Sequence, residues 1–259
     1  MSDDTYQQLR GHLAQLKLTA SAEALAEHLE RAQKTKPSYC HFLSELLEIE
    51  VKASEQRALE SRLRLAGFPQ TKPLEQFDFD AQPTLDRRLI EELATLRFVA
   101  EKANVLFIGP PGVGKTTLAI ALGLKAVQAG YRVYYTTAAD LVARTAKAAV
   151  EGRWQTTMRF WAGPAVLVVD ELGYLPMAGE AAAHLFQVIS RRYPGGSIIL
   201  TTNRDIPGWG QIFEDTTVAA AMLDRLLHHA TVVQINGPSY RMRHHQARLD
   251  QLRSASADD

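Results

Sequence analysis

A glycine-rich segment that directly follows an apolar run restricts the fold of this chain more than any other feature. Residues 104–108 read NVLFI, and residues 109–117 read GPPGVGKTT. A second apolar run starts at Leu118, so a buried strand is expected to enter a glycine-rich turn and continue as a helix. Glycines let the backbone close around phosphate groups, and the N–H groups at the helix start then face the negative charge. The pattern therefore predicts a nucleotide phosphate site.

Two side chains in this segment carry specific chemistry. Lys115 is long enough to reach the outer phosphates of a nucleotide, and the Thr116 hydroxyl is a suitable ligand for Mg²⁺. The other predicted nucleotide contacts in the segment are Gly109, Pro110, Pro111, Gly112, Val113, Gly114 and Thr117.

Two carboxylates end a later apolar run, which reads AVLVVDE over residues 165–171. Asp170 at the strand tip is predicted to hold Mg²⁺ through its water shell, opposite Thr116. Glu171 is predicted to orient and deprotonate the attacking water, a role that a protein which only binds nucleotide does not need. The pair predicts ATP hydrolysis rather than binding alone.

Two further polar residues follow in sequence order. Asn203 ends the apolar run at residues 198–202, where its amide would contact the terminal phosphate and the attacking water. Arg225 would stabilise transition-state charge if it were supplied to a neighbouring subunit. A surface ion pair with Asp224 is an equally good interpretation of Arg225. Because no guanine-binding motif is present, the sequence favours ATP over GTP.

Strands alternate with helical stretches after residue 104, which predicts an α/β fold with a five-stranded parallel sheet covered on both faces. The strands are predicted at Val105–Ile108, Tyr131–Thr136, Ala165–Val169, Ile198–Thr202 and Thr231–Ile235. Helical periodicity before residue 67 predicts a small α-helical N-terminal domain. The predicted domains are a helical partner-docking or DNA-docking domain at 1–67, a linker at 68–83, the ATPase domain at 84–253 and a flexible tail at 254–259.

Composition narrows the class of protein. The 259-residue chain has no run of 18 apolar residues and no secretory signal pattern, so we expect a cytoplasmic protein without a membrane span. One cysteine, Cys40, excludes an internal disulfide.

The formal net charge is zero, so any DNA binding needs a local basic patch. One hypothesis places that patch at Arg144, Lys147, Arg153 and Arg159. A solvated helical face explains these four residues equally well. A weaker second candidate is formed by Arg241, Arg243, Arg248 and Arg253.

Several segments together resemble the IstB-like transposition helper ATPases, which are AAA+ proteins related to the DnaC and DnaI helicase loaders. The matching segments are DELGYLP at 170–176, LTTNR at 200–204, LDRLLHHA at 223–230 and GPSYR at 237–241, with AGFP at 66–69 and FDF at 77–79 nearer the N-terminus. The resemblance covers nearly the whole chain. It departs from the family at Thr117, where many relatives have histidine.

The resemblance implies a P-loop AAA+ domain that binds ATP and Mg²⁺, with Glu171 as catalytic base and Asn203 as first sensor. It further implies that Arg225 is an arginine finger acting in trans and that Arg241 is a second sensor. ATP-dependent self-association, assembly on duplex DNA and cooperation with a DDE transposase are also implied. The alternatives are a helicase loader acting on single strands and, from another class, a small-molecule kinase.

Overall fold

The structure is a computed structural model, and it describes residues 3–193, 195–240 and 242. The chain divides into two compact units, residues 1–61 and residues 62–259. Within the described residues, the helices are α1 Asp3–Gln15, α2 Thr19–Thr35, α3 Tyr39–Ala66, α4 Arg87–Leu93, α5 Arg97–Ala100, α6 Lys115–Gln128, α7 Ala138–Val150, α8 Trp154–Ala162, α9 Glu180–Arg192, α10 Trp209–Phe213 and α11 Thr216–Leu227. The strands are β1 Asn104–Ile108, β2 Val133–Thr137, β3 Val166–Leu172, β4 Ser197–Thr202 and β5 Ala230–Gln234, and short 3-10 helices lie at Leu74–Gln76 and Ile206–Gly208.

The first unit is helical and has a small core of its own. The start of α3 is capped by Ser38, whose Oγ accepts a hydrogen bond from the His41 amide at 3.2 Å. The Ser21 amide donates to the buried carboxylate of Glu50 at 3.1 Å, which links α2 to α3. The apolar side chains buried in this unit are Leu13, Ala22, Leu25 and Leu46.

The second unit is built on a parallel sheet with strand order β2-β3-β4-β1-β5. Every residue of β1 is buried, as expected for a strand covered on both faces. Leu167 and Val169 pack into the core formed with α7, α9 and α11, whereas Val168 between them faces Gly123 on α6. The alternation of side chains along β3 therefore places helices on both faces, which confirms the predicted α/β fold with a five-stranded parallel sheet.

All five strands differ from the sequence prediction at one end or both, and the two largest differences have local reasons. The strand β2 begins at Val133 because the Tyr131 amide closes the end of α6 by donating to Ala126 O at 3.0 Å. The strand β3 continues through the acidic pair to Leu172, which pairs again with β4.

Candidate functional site

The glycine-rich segment connects β1 to α6 and forms a tight loop at the carboxyl end of the sheet. Gly112 and Gly114 have φ values of 85° and 100°, which side chains rarely adopt. A Cβ at Gly112 would lie 2.1 Å from the Ser239 Oγ, and one at Gly114 would lie 2.8 Å from the Phe77 ring. These glycines are therefore required both for backbone conformation and for close packing of neighbouring segments on the loop.

Lys115 is the first residue of α6, and its side chain is buried inside this loop. Its Nζ donates hydrogen bonds to the carbonyl oxygens of Gly109 at 2.7 Å and Pro110 at 2.8 Å. The ammonium group is thus held among the loop amides, where it adds positive charge to the helix N-terminus. A loop with this charge distribution is suited to phosphate.

Asp170 is buried at the end of β3 and accepts three side-chain hydrogen bonds. Thr116 Oγ1 donates to its Oδ1 at 2.9 Å, and Thr201 Oγ1 donates to the same oxygen. The Tyr135 hydroxyl donates to Oδ2 at 2.7 Å. Burial, followed by the nearby Asp170 carboxylate, raises the pKa of Tyr135 well above its ordinary value, so the hydroxyl keeps its proton and acts as the donor. The predicted metal residues Thr116 and Asp170 are therefore adjacent.

Glu171 has a different environment from Asp170, although the two are consecutive. Its φ is 62°, a strained value for a residue with a side chain, and the β3–β4 register shifts between Val169 and Leu172. The Glu171 amide donates to Thr201 Oγ1 at 3.0 Å, which fixes the turned backbone. As a result, the Glu171 side chain is exposed to the cavity beside the loop while Asp170 stays buried.

The loop and Glu171 line one cavity. Its predicted members are Gly112, Val113, Gly114, Lys115, Thr116, Thr117 and Glu171. Residues that sequence reasoning did not assign to the site also line it, namely Lys72, Phe77, Asp78, Gln82, Tyr174 and Tyr240. Phe77, Asp78 and Tyr240 enter the sequence prediction only within the segments that resemble the IstB-like family.

Two segments distant in sequence close this cavity against the loop. The Tyr240 amide donates to Gly112 O at 2.9 Å, and Gln82 Nε2 donates to Pro238 O at 3.1 Å. Residues 68–83, predicted as a linker, lie within the second unit and supply Phe77 and Gln82 to the cavity wall. The residues that precede the sheet and those that follow it therefore both contact the phosphate loop.

Among the described residues, the remaining predicted site residues do not line this cavity. Pro111 lies in the first half of the loop, beside the Pro110 carbonyl that holds Lys115. Asn203 follows β4 behind the turn at Gly173, and its buried Oδ1 accepts no hydrogen bond from the described residues. Arg225 lies on α11 with its guanidinium carbon 4.6 Å from the Phe186 ring centroid. Arg241 and the basic residues after it lie outside the described residues.

The side chains of Thr116 and Asp170 are suited to hold Mg²⁺ together with a nucleotide. Among the described residues there is no group of three His, Cys, Asp or Glu side chains that could hold a metal ion by themselves. One hydroxyl and one buried carboxylate, as at Thr116 and Asp170, are the protein ligands expected when nucleotide phosphates and water complete the shell of Mg²⁺.

A family model described as IstB-like ATP binding protein matches residues 11–248. This match covers most of the chain. The chain belongs to the IstB-like family. The segments at 170–176, 200–204 and 223–230 on which the resemblance was based all lie inside the matched range, so the family prediction is confirmed.

Curated relatives of this IstB-like chain come from insertion sequences. An insertion sequence IS5376 protein of Geobacillus stearothermophilus, named for ATP binding, is 44% identical over 228 residues, which cover 88% of this chain and 91% of that protein. An insertion sequence IS21 protein of Pseudomonas aeruginosa, also named for ATP binding, is 46% identical over 231 residues. The match covers 89% of this chain and 87% of that protein.

Solved structures with the same fold belong to replication proteins. The DnaC helicase loader has a TM-score of 0.51 at 23% identity, covering 57% of this chain and 86% of that one. AMPPCP-bound DnaA from Aquifex aeolicus has a TM-score of 0.54 at 19% identity, covering 71% of this chain and 55% of that one. At these identities the likeness supports the AAA+ fold of the IstB-like chain and nothing further. No helix within the described residues is both long and apolar enough to cross a membrane.

Proposed function

We propose that this IstB-like chain is a cytoplasmic ATPase that self-associates, assembles on duplex DNA and directs a DDE transposase. The observation that carries the proposal is that Glu171 lines the same cavity as the phosphate loop. Among the described residues, no hydrogen bond or ion pair is observed for the Glu171 carboxylate, and the turned backbone presents this group to the cavity, where a catalytic base beside the terminal phosphate would act.

The chain's own residues divide the chemistry of hydrolysis among them. The loop amides and Lys115 bind the phosphates and stabilise the charge that develops on the leaving group. Thr116 and Asp170 are the residues that would hold Mg²⁺, which would further neutralise the phosphate charge. Glu171 orients the attacking water and accepts its proton, and Asn203 contacts that water or the terminal phosphate.

Arg225 acts at the site of a neighbouring subunit in this proposal. It does not line the cavity of its own chain, and it packs on Phe186 while NH1 donates to Ala221 O at 3.2 Å. An arginine held at a helix surface in this way is available to a second chain, and its charge would stabilise the transition state there. ATP would then join subunits and hydrolysis would release them. A second-sensor role for Arg241 stays a prediction.

The DNA surface is proposed on and beside α7 and α8, at the four basic residues that the sequence suggested. Ion pairs in this region indicate which of the four are better candidates for DNA contact. Glu151 lies 3.9 Å from Lys147 and also pairs with Arg153, so its charge offsets both. Arg144 instead contacts Tyr134, with its guanidinium carbon 5.9 Å from the ring centroid. No acidic partner is observed for Arg144 or Arg159 among the described residues, which makes this pair the better candidates for phosphate contacts.

Salt dependence of duplex binding tests this surface. Replacing Arg144 and Arg159 with Gln should reduce the slope of log affinity against log salt by about two, because each lost phosphate contact removes about 0.9. The matched control replaces Lys147 and Arg153 with Gln and should change the slope less, since Glu151 already pairs with both. An unchanged slope in the Arg144/Arg159 variant would remove the surface from the proposal.

Transposition is favoured over helicase loading because curated relatives at 44% and 46% identity are insertion-sequence proteins, whereas the DnaC likeness supports only the fold. Capture of a purified DDE transposase by the ATP-loaded chain, in preference to a DnaB-type helicase, would distinguish the two. DNA-stimulated phosphate release without a phosphorylated acceptor would dismiss the small-molecule kinase.

A further inference from the structure

Three hydroxyl groups from three different elements determine the orientation of the Asp170 carboxylate. Thr116 on α6 and Thr201 on β4 both donate to Oδ1, and Tyr135 on β2 donates to Oδ2. A carboxylate offers about four lone-pair positions, two on each oxygen. Both positions on Oδ1 are therefore occupied, and one position remains on Oδ2, next to the Tyr135 hydroxyl.

We propose that Tyr135 is a positioning residue that turns the free lone pair of Asp170 Oδ2 toward the Mg²⁺ water shell. This inference rests on the proposed ATPase function, since it concerns the same metal site. Without the Tyr135 hydroxyl, Asp170 keeps two donors on one oxygen and has none on the other. The carboxylate is then held through Oδ1 alone, and the orientation of Oδ2 toward the metal's water shell is less well fixed.

Tyr135 differs from the two threonines because its hydroxyl has a single role. Thr116 is itself the predicted metal ligand, and the Thr201 hydroxyl also accepts the Glu171 amide at 3.0 Å. Among the described residues, the hydrogen bond to Asp170 is the only one observed for the Tyr135 hydroxyl. Removing this hydroxyl therefore changes the support of Asp170 and leaves the ligand and the Glu171 backbone in place.

The Tyr135 ring is held by packing as well as by its hydroxyl. Tyr135 on β2 pairs with Val168 on β3, so the two side chains lie on the same face of the sheet. Asp170 follows Val168 by two residues along β3 and therefore lies on that face as well. The Phe68 ring meets it edge-on, with centroids 6.4 Å apart, and Phe68 also lies 3.0 Å from the position of a Cβ on Gly123. Phe68 is thus fixed between α6 and β2, and a phenylalanine at position 135 would keep this contact.

The test compares the wild-type chain with Tyr135→Phe and with a matched control, Tyr131→Phe, which removes a hydroxyl from the residues just before β2. Binding of a non-hydrolysable ATP analogue is titrated with Mg²⁺, and steady-state hydrolysis is measured over the same Mg²⁺ range. Tyr135→Phe should raise the Mg²⁺ concentration for half-maximal binding by about tenfold, in line with the effect of removing a partner of a metal ligand. Nucleotide affinity without Mg²⁺ and the thermal midpoint should stay close to wild type, and Tyr131→Phe should match wild type throughout.

An equal Mg²⁺ requirement in wild type and Tyr135→Phe would overturn the role of Tyr135 while leaving the ATPase proposal intact. A wild-type chain whose nucleotide binding does not respond to Mg²⁺ at all would overturn both. A loss of binding in Tyr135→Phe that excess Mg²⁺ does not restore would also contradict positioning, because it would mean that the hydroxyl supports the fold of the site.

Discussion

Single residues in the phosphate loop and the acidic pair have backbone conformations that the surrounding packing imposes. The left-handed φ of Gly112 is accompanied by the Ser239 side chain, which occupies the space that a Cβ would need. Glu171 has a strained φ although it has a side chain, because the register shift in β3 turns it toward the cavity. At this scale, sequence order predicts several of the residues that line the cavity, while contacts with distant segments determine their conformation.

Gly112→Ala should lower nucleotide affinity by about tenfold or more, because the new methyl group lies 2.1 Å from Ser239 Oγ and either the loop or residues 236–240 must move. Titration with a fluorescent ATP analogue measures this change. The control is Gly11→Ala in α1, where no atom lies within 4 Å of the new Cβ and helix propensity favours alanine by about 1 kcal/mol. That variant should bind nucleotide as wild type does. Wild-type affinity in Gly112→Ala would show that this packing does not shape the loop.

The secondary structure elements are held in register by buried polar residues that no sequence motif indicates. Arg192 at the end of α9 is fully buried, and its guanidinium donates to the carbonyl oxygens of Trp161 at 2.7 Å, Pro164 at 3.0 Å and Ser197 at 2.8 Å. Burial lowers the pKa of Arg192 to about 10, which still leaves the group charged at neutral pH. One side chain therefore joins α9 to the end of α8, the approach to β3 and the start of β4.

Arg192→Met should reduce the free energy of unfolding by about 3 kcal/mol, since it leaves several buried carbonyl groups without a donor. The matched control is Arg191→Met on the preceding residue, which is exposed and should change stability by less than about 0.5 kcal/mol. Urea unfolding of both variants provides the comparison. Equal midpoints for the two would contradict the structural role of Arg192.

The strand and helix pattern could be predicted because apolar runs such as residues 105–108 and 165–169 are long, continuous and separated by helical periodicity. The sheet, the phosphate loop and the neighbouring Thr116 and Asp170 followed from that pattern. Tyr135 and Gln82 could not be predicted as parts of the site, because their roles depend on contacts between segments far apart in sequence. The extension of β3 through Glu171 depends likewise on its pairing with β4.

Across the whole molecule, the residues of the candidate site all belong to the second unit, residues 62–259. Segments at both ends of this unit contact the phosphate loop, through Phe77 on one side and Tyr240 on the other. A bound nucleotide would therefore influence the position of both segments. Arg225 does not line this cavity, and in the proposed function it acts at the site of a second chain.

The most direct test of the account measures phosphate release and nucleotide binding by Glu171→Gln and Arg225→Ala, each alone and mixed, with Glu180→Gln in the first turn of α9 as an exposed control. Glu171→Gln should bind ATP as wild type does and lose at least about 100-fold in turnover, because the base is absent. Arg225→Ala should lose about 1,000-fold in turnover.

A mixture of the two variants should regain activity, since an interface can then combine the intact Glu171 of one chain with the intact Arg225 of the other. Wild-type turnover by Glu171→Gln would contradict the central claim, and a mixture no more active than its components would contradict the action of Arg225 in trans.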